Sequence, residues 1–226
     1  MKVLERGRLV SPSIVHRLLQ MTNNLITTDA RFMDLWWRLV REGRTLLSIR
    51  EAYNLKFHLS NTLALGGAVA ELGVYKGGGS KLICEFKSDA PLHLFDTFGG
   101  MPEVDGTVDL HRRGDFSDTT LASVEEYLSG YSGCTFHEGV FPGTTADLPL
   151  DVEFCFVHLD ADIYESTLSG LQYFYPRLKK GGVVISHDYN SSSCPGVRRA
   201  FDEYFRESPG DVMVLWDTQC MVKKPV

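Results

Sequence analysis

Residues 157–167 read VHLDADIYEST, and residues 181–190 read GGVVISHDYN. Each opens as an apolar, β-branched run and breaks off into polar groups: Asp160 and Asp162 in the first, His187, Asp188 and Asn190 in the second. Buried parallel strands read this way, because helices cover both of their faces and only the carboxyl end is left polar. In open α/β sheets, ligands bind in the crevice outside those ends. Carboxylates gathered there are costly unless a cation or a reacting proton lies among them. The plainer reading, helix capping and turn chemistry, accounts for either stretch alone, since Asp and Asn are common in turns.

The flanking sequence continues the pattern. Short apolar runs at 68–75 (AVAELGVY), 91–98 (PLHLFDTF), 134–141 (CTFHEGVF) and 153–160 (EFCFVHLD) alternate with helices expected over 79–87, 118–129, 166–179 and 195–206. That alternation yields βαβ units and a parallel sheet. The last runs, VMVLWD and QCMVKK, are separated by Thr218 alone and predict a closing antiparallel hairpin. Residues 11–65 read as helices instead. Ser11 before Pro12 marks one start, a second helix carries Phe32, Leu35, Trp36 and Leu39, and a third runs from about Leu46 to Leu65. The expected fold is α/β, a doubly wound, mostly parallel Rossmann-like sheet in one domain, with a helical cap over 1–65 and the core over 66–226. The polar stretch 98–118, FGGMPEVDGTVDLHRRGDFSD, is long enough to be a lid or binding loop.

Composition narrows the function. The chain has 226 residues, 43% hydrophobic and 23% charged, enough for one full core. A net charge of -6 argues against nucleic acid or an anionic membrane as the partner. Five scattered cysteines without a CxxC pair suggest neither a disulfide framework nor a thiolate zinc site, and fit a cytoplasmic protein. Neither a signal peptide nor a membrane span is read. The expected partners are a small-molecule hydroxyl acceptor and further copies of the chain in a homo-oligomer.

The stretch Glu71-Leu-Gly73-Val-Tyr75-Lys-Gly77-Gly78-Gly79-Ser80 follows the first strand and opens a helix, where glycines let backbone approach a ligand. A phosphate-cradling P-loop needs lysine where Gly79 stands, and a dinucleotide fingerprint needs glycine where Tyr75 stands. Asp96 ends the next strand, placed to accept hydrogen bonds from two ribose hydroxyls. A nucleoside without phosphates fits these features, and S-adenosylmethionine (SAM) is the obvious one. Phe141 is read either as a wall beside the adenine or as core.

These residues resemble the macrocin-type O-methyltransferases, SAM-dependent enzymes of the class I methyltransferase fold that methylate sugar hydroxyls of natural products. The matching pieces are 71–78, 94–102 (LFDTFGGMP), 139–144 (GVFPGT), 159–167 (LDADIYEST) and 187–189 (HDY). The resemblance implies a cofactor site of Glu71, Gly73, Tyr75, Gly77, Ser80, Asp96, Phe98 and Phe141. It also implies magnesium, or another divalent cation, on Asp160 and Asp188 with His187 or Asn190 completing the shell. Asp162 resembles the general base. His187 departs from the acidic residue of the family, and nitrogen suits zinc or iron better than magnesium. Two other readings stay open. His158, Asp160 and His187 have the composition of a mononuclear iron oxygenase triad, and a SAM-binding protein without catalysis needs no base.

Overall fold

The computed structural model describes residues 4–5, 8–9, 26, 28–208 and 211–226. The helix start expected at Ser11 and Pro12 lies outside them. Helix α1 (Ala30–Arg41) is capped by Asp29, whose carboxylate accepts the Phe32 N–H, and it buries Phe32, Leu35 and Leu39. Trp36 packs partly into the core while its neighbour Trp37 stays half exposed, as adjacent helical positions require. Helix α2 (Ile49–Thr62) opens on a capping box: the Ser48 hydroxyl accepts from Glu51 N–H, and the Glu51 carboxylate accepts from Ser48 N–H. A 3₁₀ turn over Leu63–Leu65 ends it.

From there the chain alternates: β1 (Ala68–Leu72), α3 (Gly78–Phe86), β2 (Leu92–Asp96), α4 (Leu121–Leu128), β3 (Cys134–Glu138), β4 (Phe154–Leu159), α5 (Tyr164–Arg177), β5 (Leu178–Ser186), α6 (Pro195–Tyr204), β6 (Val212–Val214) and β7 (Cys220–Lys223). The seven strands order as β3-β2-β1-β4-β5-β7-β6. The first five are parallel, while β7 runs antiparallel to β5 and β6 antiparallel to β7. Every residue of β1 and β4 is buried, because side chains pack on both faces. Val69, Leu94, Phe156 and Ile185 meet α1–α4 on one face; Ala70, Phe95, Val157 and Val184 meet Phe174 of α5 and Phe201 of α6 on the other. This is the expected doubly wound sheet with its C-terminal hairpin.

The strand order reverses between β1 and β4, which splits their carboxyl ends and opens the crevice where this architecture binds ligands. One boundary differs usefully from the sequence reading. Helix α5 begins at Tyr164 rather than near Ser166, and Ile163 at its N-cap offers no side-chain acceptor. The acceptor comes from elsewhere: both carboxylate oxygens of Asp109 lie at 3.0 and 3.1 Å from the Tyr164 N–H. No helix among the described residues is long and apolar enough to cross a membrane.

Candidate active site

A cavity of about 330 Å³ sits in this crevice. Its floor is the β1–α3 turn with the ends of β2 and β4, and the stretch from Arg44 to Leu47 lines another side. Met101, Pro102, His111 and Phe116 close it from the 98–118 loop. That loop is held in place. Asp109, buried, ties it to the start of α5, and Asp118 takes the Tyr75 hydroxyl at 2.8 Å and the Lys76 ammonium at 2.5 Å.

The turn after β1 is shaped by backbone contact. Gly73 has φ +90, and a Cβ there would strike the Asp160 carbonyl, so glycine is needed for both reasons. Asp96 fixes the same region from β2. Its Oδ2 accepts the N–H groups of Val74 (2.6 Å) and Tyr75 (2.9 Å), and its Oδ1 accepts that of Phe98 (2.7 Å). Tyr75 and Phe98 both carry positive φ, so this one carboxylate holds two uncommon backbone conformations while still lining the cavity. Behind the turn, the buried Glu71 carboxylate receives the Ser80 hydroxyl and pairs with His158 Nδ1 at 2.9 Å. Burial pushes the Glu71 carboxyl above its usual range, against the pull of His158 and Ser80.

At the ends of β4 and β5, the ligand atoms of Asp160, Asp162, His187 and Asp188 all lie within 4.8 Å of one another. His187 Nδ1 is 3.0 Å from Asp160 Oδ1 and 2.8 Å from Asp188 Oδ2, and its Nε2 is 3.3 Å from Glu51 Oε2. Burial disfavours the imidazolium, but these carboxylates outweigh it and hold the His187 pKa far above its ordinary value. For Glu51 the balance runs the other way: burial raises its pKa, yet His187, Thr218 and Ser48 together hold it well below. Asp162 stands apart. Burial first, then the charge of Asp160, raise its carboxyl well above the ordinary range. Three carboxylates and an imidazole at this spacing fit a divalent cation in number and donor chemistry.

Of the residues singled out from sequence, Glu71, Gly73, Tyr75, Asp96, Phe141, Asp160, Asp162, His187 and Asp188 line the cavity together. Four do not. Ser80 turns its hydroxyl inward to Glu71, Gly77 uses a left-handed φ of 79 to start α3, and Phe98 packs under the turn against Phe136. Asn190 is exposed, its N–H goes to the Thr218 carbonyl, and it does not line the cavity. Phe141 is both wall and core, stacked on Phe174 and edge-on to Phe95. His158 is enclosed with Glu71 and is not among the clustered ligand atoms, so the iron triad does not assemble among the described residues. Glu51, His111 and Cys194 were missed. The Ser48-x-x-Glu51 box is readable as a helix start, but nothing in it points to His187.

Comparison with known proteins agrees with this fold. The macrocin O-methyltransferase (TylF) family profile matches residues 60–212, more than half of the chain. Over 184 residues the chain is 29% identical to 8-demethyl-8-(2,3-dimethoxy-alpha-L-rhamnosyl)-tetracenomycin-C 4'-O-methyltransferase of Streptomyces olivaceus, covering 74% of this chain and 69% of the relative. It is 28% identical to demethyldecarbamoylnovobiocin O-methyltransferase of Streptomyces niveus over 180 residues, 72% of this chain and 68% of the relative. Among solved structures, the O-methyltransferase NovP superposes with TM-score 0.71 at 25% identity, over 81% of this chain and 83% of that one. The calicheamicin methyltransferase CalS11 shares the fold with TM-score 0.67 at 18% identity, over 98% and 95%. The family profile thus spans the sheet from β1 to β6 together with the loops that line the cavity, and the chain belongs to the macrocin O-methyltransferase family.

Proposed function

We propose that this enzyme transfers the methyl group of SAM to a hydroxyl of a small molecule, a sugar or other natural-product hydroxyl, with a divalent cation at the Asp160–Asp188 cluster. The observation that carries the reading is the convergence of Asp96, Asp160, Asp162 and Asp188 on one cavity beside the Gly73 turn. SAM supplies an electrophilic methyl on a cationic sulfonium, which an acidic wall favours. A divalent cation, Mg²⁺ if carboxylates alone decide, supplies the Lewis acidity that makes a nearby hydroxyl easier to deprotonate. Asp160 and Asp188 would hold it.

The chain's own part is positioning and proton transfer. Asp96 offers its remaining lone pairs to ribose hydroxyls, and Phe141 gives an apolar wall. Asp162 accepts the proton of the acceptor hydroxyl; the oxygen attacks the methyl carbon as the carbon–sulfur bond breaks, leaving a methyl ether, a neutral thioether and a protonated Asp162 that returns its proton to solvent. Asp162 lines the cavity beside Asp160, so it can face the hydroxyl that a cation on Asp160 would polarise. The tetracenomycin relative is named for a rhamnosyl acceptor, which supports a glycoside hydroxyl here. Five free thiols fit a reducing compartment, and the exposed apolar edge at Met213, Val214 and Trp216 fits assembly with further copies.

Asp162→Asn tests the mechanism. Loss of a general base typically costs about 10²–10⁴-fold in rate, so turnover on a glycoside acceptor falls by that range while calorimetric SAM affinity stays within about threefold. Near wild-type turnover in Asp162→Asn overturns the assignment, and absence of SAM binding to the wild type overturns the function.

A further inference from the structure

The metal reading above leaves unexplained why an imidazole stands in a cluster of carboxylates, and why a buried glutamate from a different part of the chain is aimed at its far side. Glu51 is fixed before His187 reaches it. Its Oε1 accepts the Thr218 N–H at 3.1 Å and the Thr218 hydroxyl at 2.7 Å, and its Oε2 accepts the Ser48 N–H at 2.9 Å. It is 4% exposed, so the carboxylate is a rigid acceptor and not a mobile surface charge. His187 Nε2 faces this acceptor at 3.3 Å, which orients the ring with Nδ1 on the other side. There Nδ1 meets two carboxylate oxygens, at 3.0 Å from Asp160 and 2.8 Å from Asp188. Two carboxylates and a ring nitrogen converge here on a space that one cation must balance, either a proton on Nδ1 or a metal ion that takes its place. Donors about 2.1 Å from one ion, and at right angles, are about 3 Å apart, which matches both spacings.

We infer that His187 Nδ1 is itself a metal ligand, that Glu51 is its positioning residue, and that this pair turns the site's preference from Mg²⁺ toward a transition-metal divalent cation. The inference rests on the metal part of the proposed function and names its ion class. A metal-bound histidine that gives its second N–H to a carboxylate is oriented and made more basic by it, and loss of such a partner typically costs about 10–100-fold in metal affinity. Imidazole nitrogen favours cobalt, zinc and iron over magnesium, which demands oxygen. Each element of the pairing comes from a separate segment: Glu51 from α2, Thr218 from the turn before β7, His187 and Asp188 from the end of β5, Asp160 from the end of β4. That convergence is costly to build for charge balance alone.

The test uses the metal-stripped, full-length protein and metal ions alone. Mn²⁺ is added and nitrogen coordination is read by pulsed EPR, which needs no variant; Co²⁺ and Mg²⁺ affinities are then measured by calorimetry. Directly coupled nitrogen is expected in the wild type and absent in His187→Glu. His187→Glu is expected to move the Co²⁺/Mg²⁺ affinity ratio at least about tenfold toward Mg²⁺, and Glu51→Gln to weaken Co²⁺ by about 10–100-fold with SAM affinity retained. Should Glu51→Gln fail to fold, His187→Glu and the wild-type spectrum carry the test. Mn²⁺ bound without nitrogen coupling overturns this inference and leaves the metal reading standing. No uptake of any of the three ions overturns both.

Discussion

Asp96→Ala removes the acceptor that organises the cofactor side of the cavity, and its cost has two separable parts. The first is structural. Three backbone N–H groups, those of Val74, Tyr75 and Phe98, lose a charged acceptor at 2.6 to 2.9 Å. Hydrogen bonds to charged groups contribute about 1.5–3 kcal/mol each. Asp96 is partly exposed, so water replaces some of what is lost and the sum is not reached. The positive φ of Tyr75 and Phe98 offsets part of the loss, because both turns relax once their tether is gone. A net cost of about 2–4 kcal/mol follows, and at about 2–4 °C per kcal/mol for a chain of this size the melting temperature falls by roughly 5–15 °C. The second part is affinity. Loss of ribose hydrogen bonds amounts to at least about 1.4 kcal/mol, a tenfold rise in the Kd for SAM. Thermal melts without ligand read the first part, and calorimetry at 15 °C, far below the melt, reads the second on folded protein. A variant that melts within about 2 °C of wild type and binds SAM within about threefold refutes the argument.

Two further perturbations address the loop and the outer strands. Asp109→Ala removes the acceptor for the Tyr164 N–H and detaches the 98–118 loop from α5; loss of a helix cap costs about 1 kcal/mol, and limited proteolysis should cut this loop faster than in wild type, with unchanged cutting arguing against the tether. His93 Nδ1 and His137 Nε2 share a hydrogen bond at 3.0 Å, and burial lowers both pKa values; His137 adds to that effect at His93, while Asp147 opposes it at His137. Their folded pKa values lie below the unfolded value of about 6.5, so the unfolded chain binds more protons below that pH. Stability is therefore full above about 6.5 and is lost as pH falls through the folded values. Melts between pH 7.5 and 5 should show this slope, and His137→Gln should flatten it.

Much of this architecture is legible from sequence because both faces of β1 and β4 are covered. Strands such as FCFVHL then read as unbroken apolar runs, and the polar residues after them mark the carboxyl edge. The Gly73 turn is legible for a similar reason, since its geometry rests on residues close in sequence. What stayed hidden was set by contacts between distant segments. The α5 start moved from Ser166 to Tyr164 because its cap is Asp109, from another loop. Asn190 lies away from the cavity, where its N–H meets the Thr218 carbonyl from the turn before β7. Ser80 sits on the helix that follows the turn, yet a buried carboxylate one strand away decides where its hydroxyl points.

The two histidines that border the acidic cluster show how position along a strand decides between structure and chemistry. His158 lies within β4, two residues before Asp160, and His187 lies one residue beyond β5, next to Asp188. Each is matched to a glutamate: His158 to Glu71 across β1, and His187 to Glu51 on α2. His158 is still inside the sheet, where its register partner is Glu71 itself, so the pair is enclosed and ties β1 to β4 behind the turn. Its side chain is fully buried, and no aspartate shares its free nitrogen. His187 has passed the end of its strand. Its ring reaches the cavity, Glu51 occupies one nitrogen, and the other is left facing Asp160 and Asp188. The same residue pair therefore serves as a brace in one place and as one side of the proposed ion site in the other. The difference is whether the sheet continues past the histidine or ends before it.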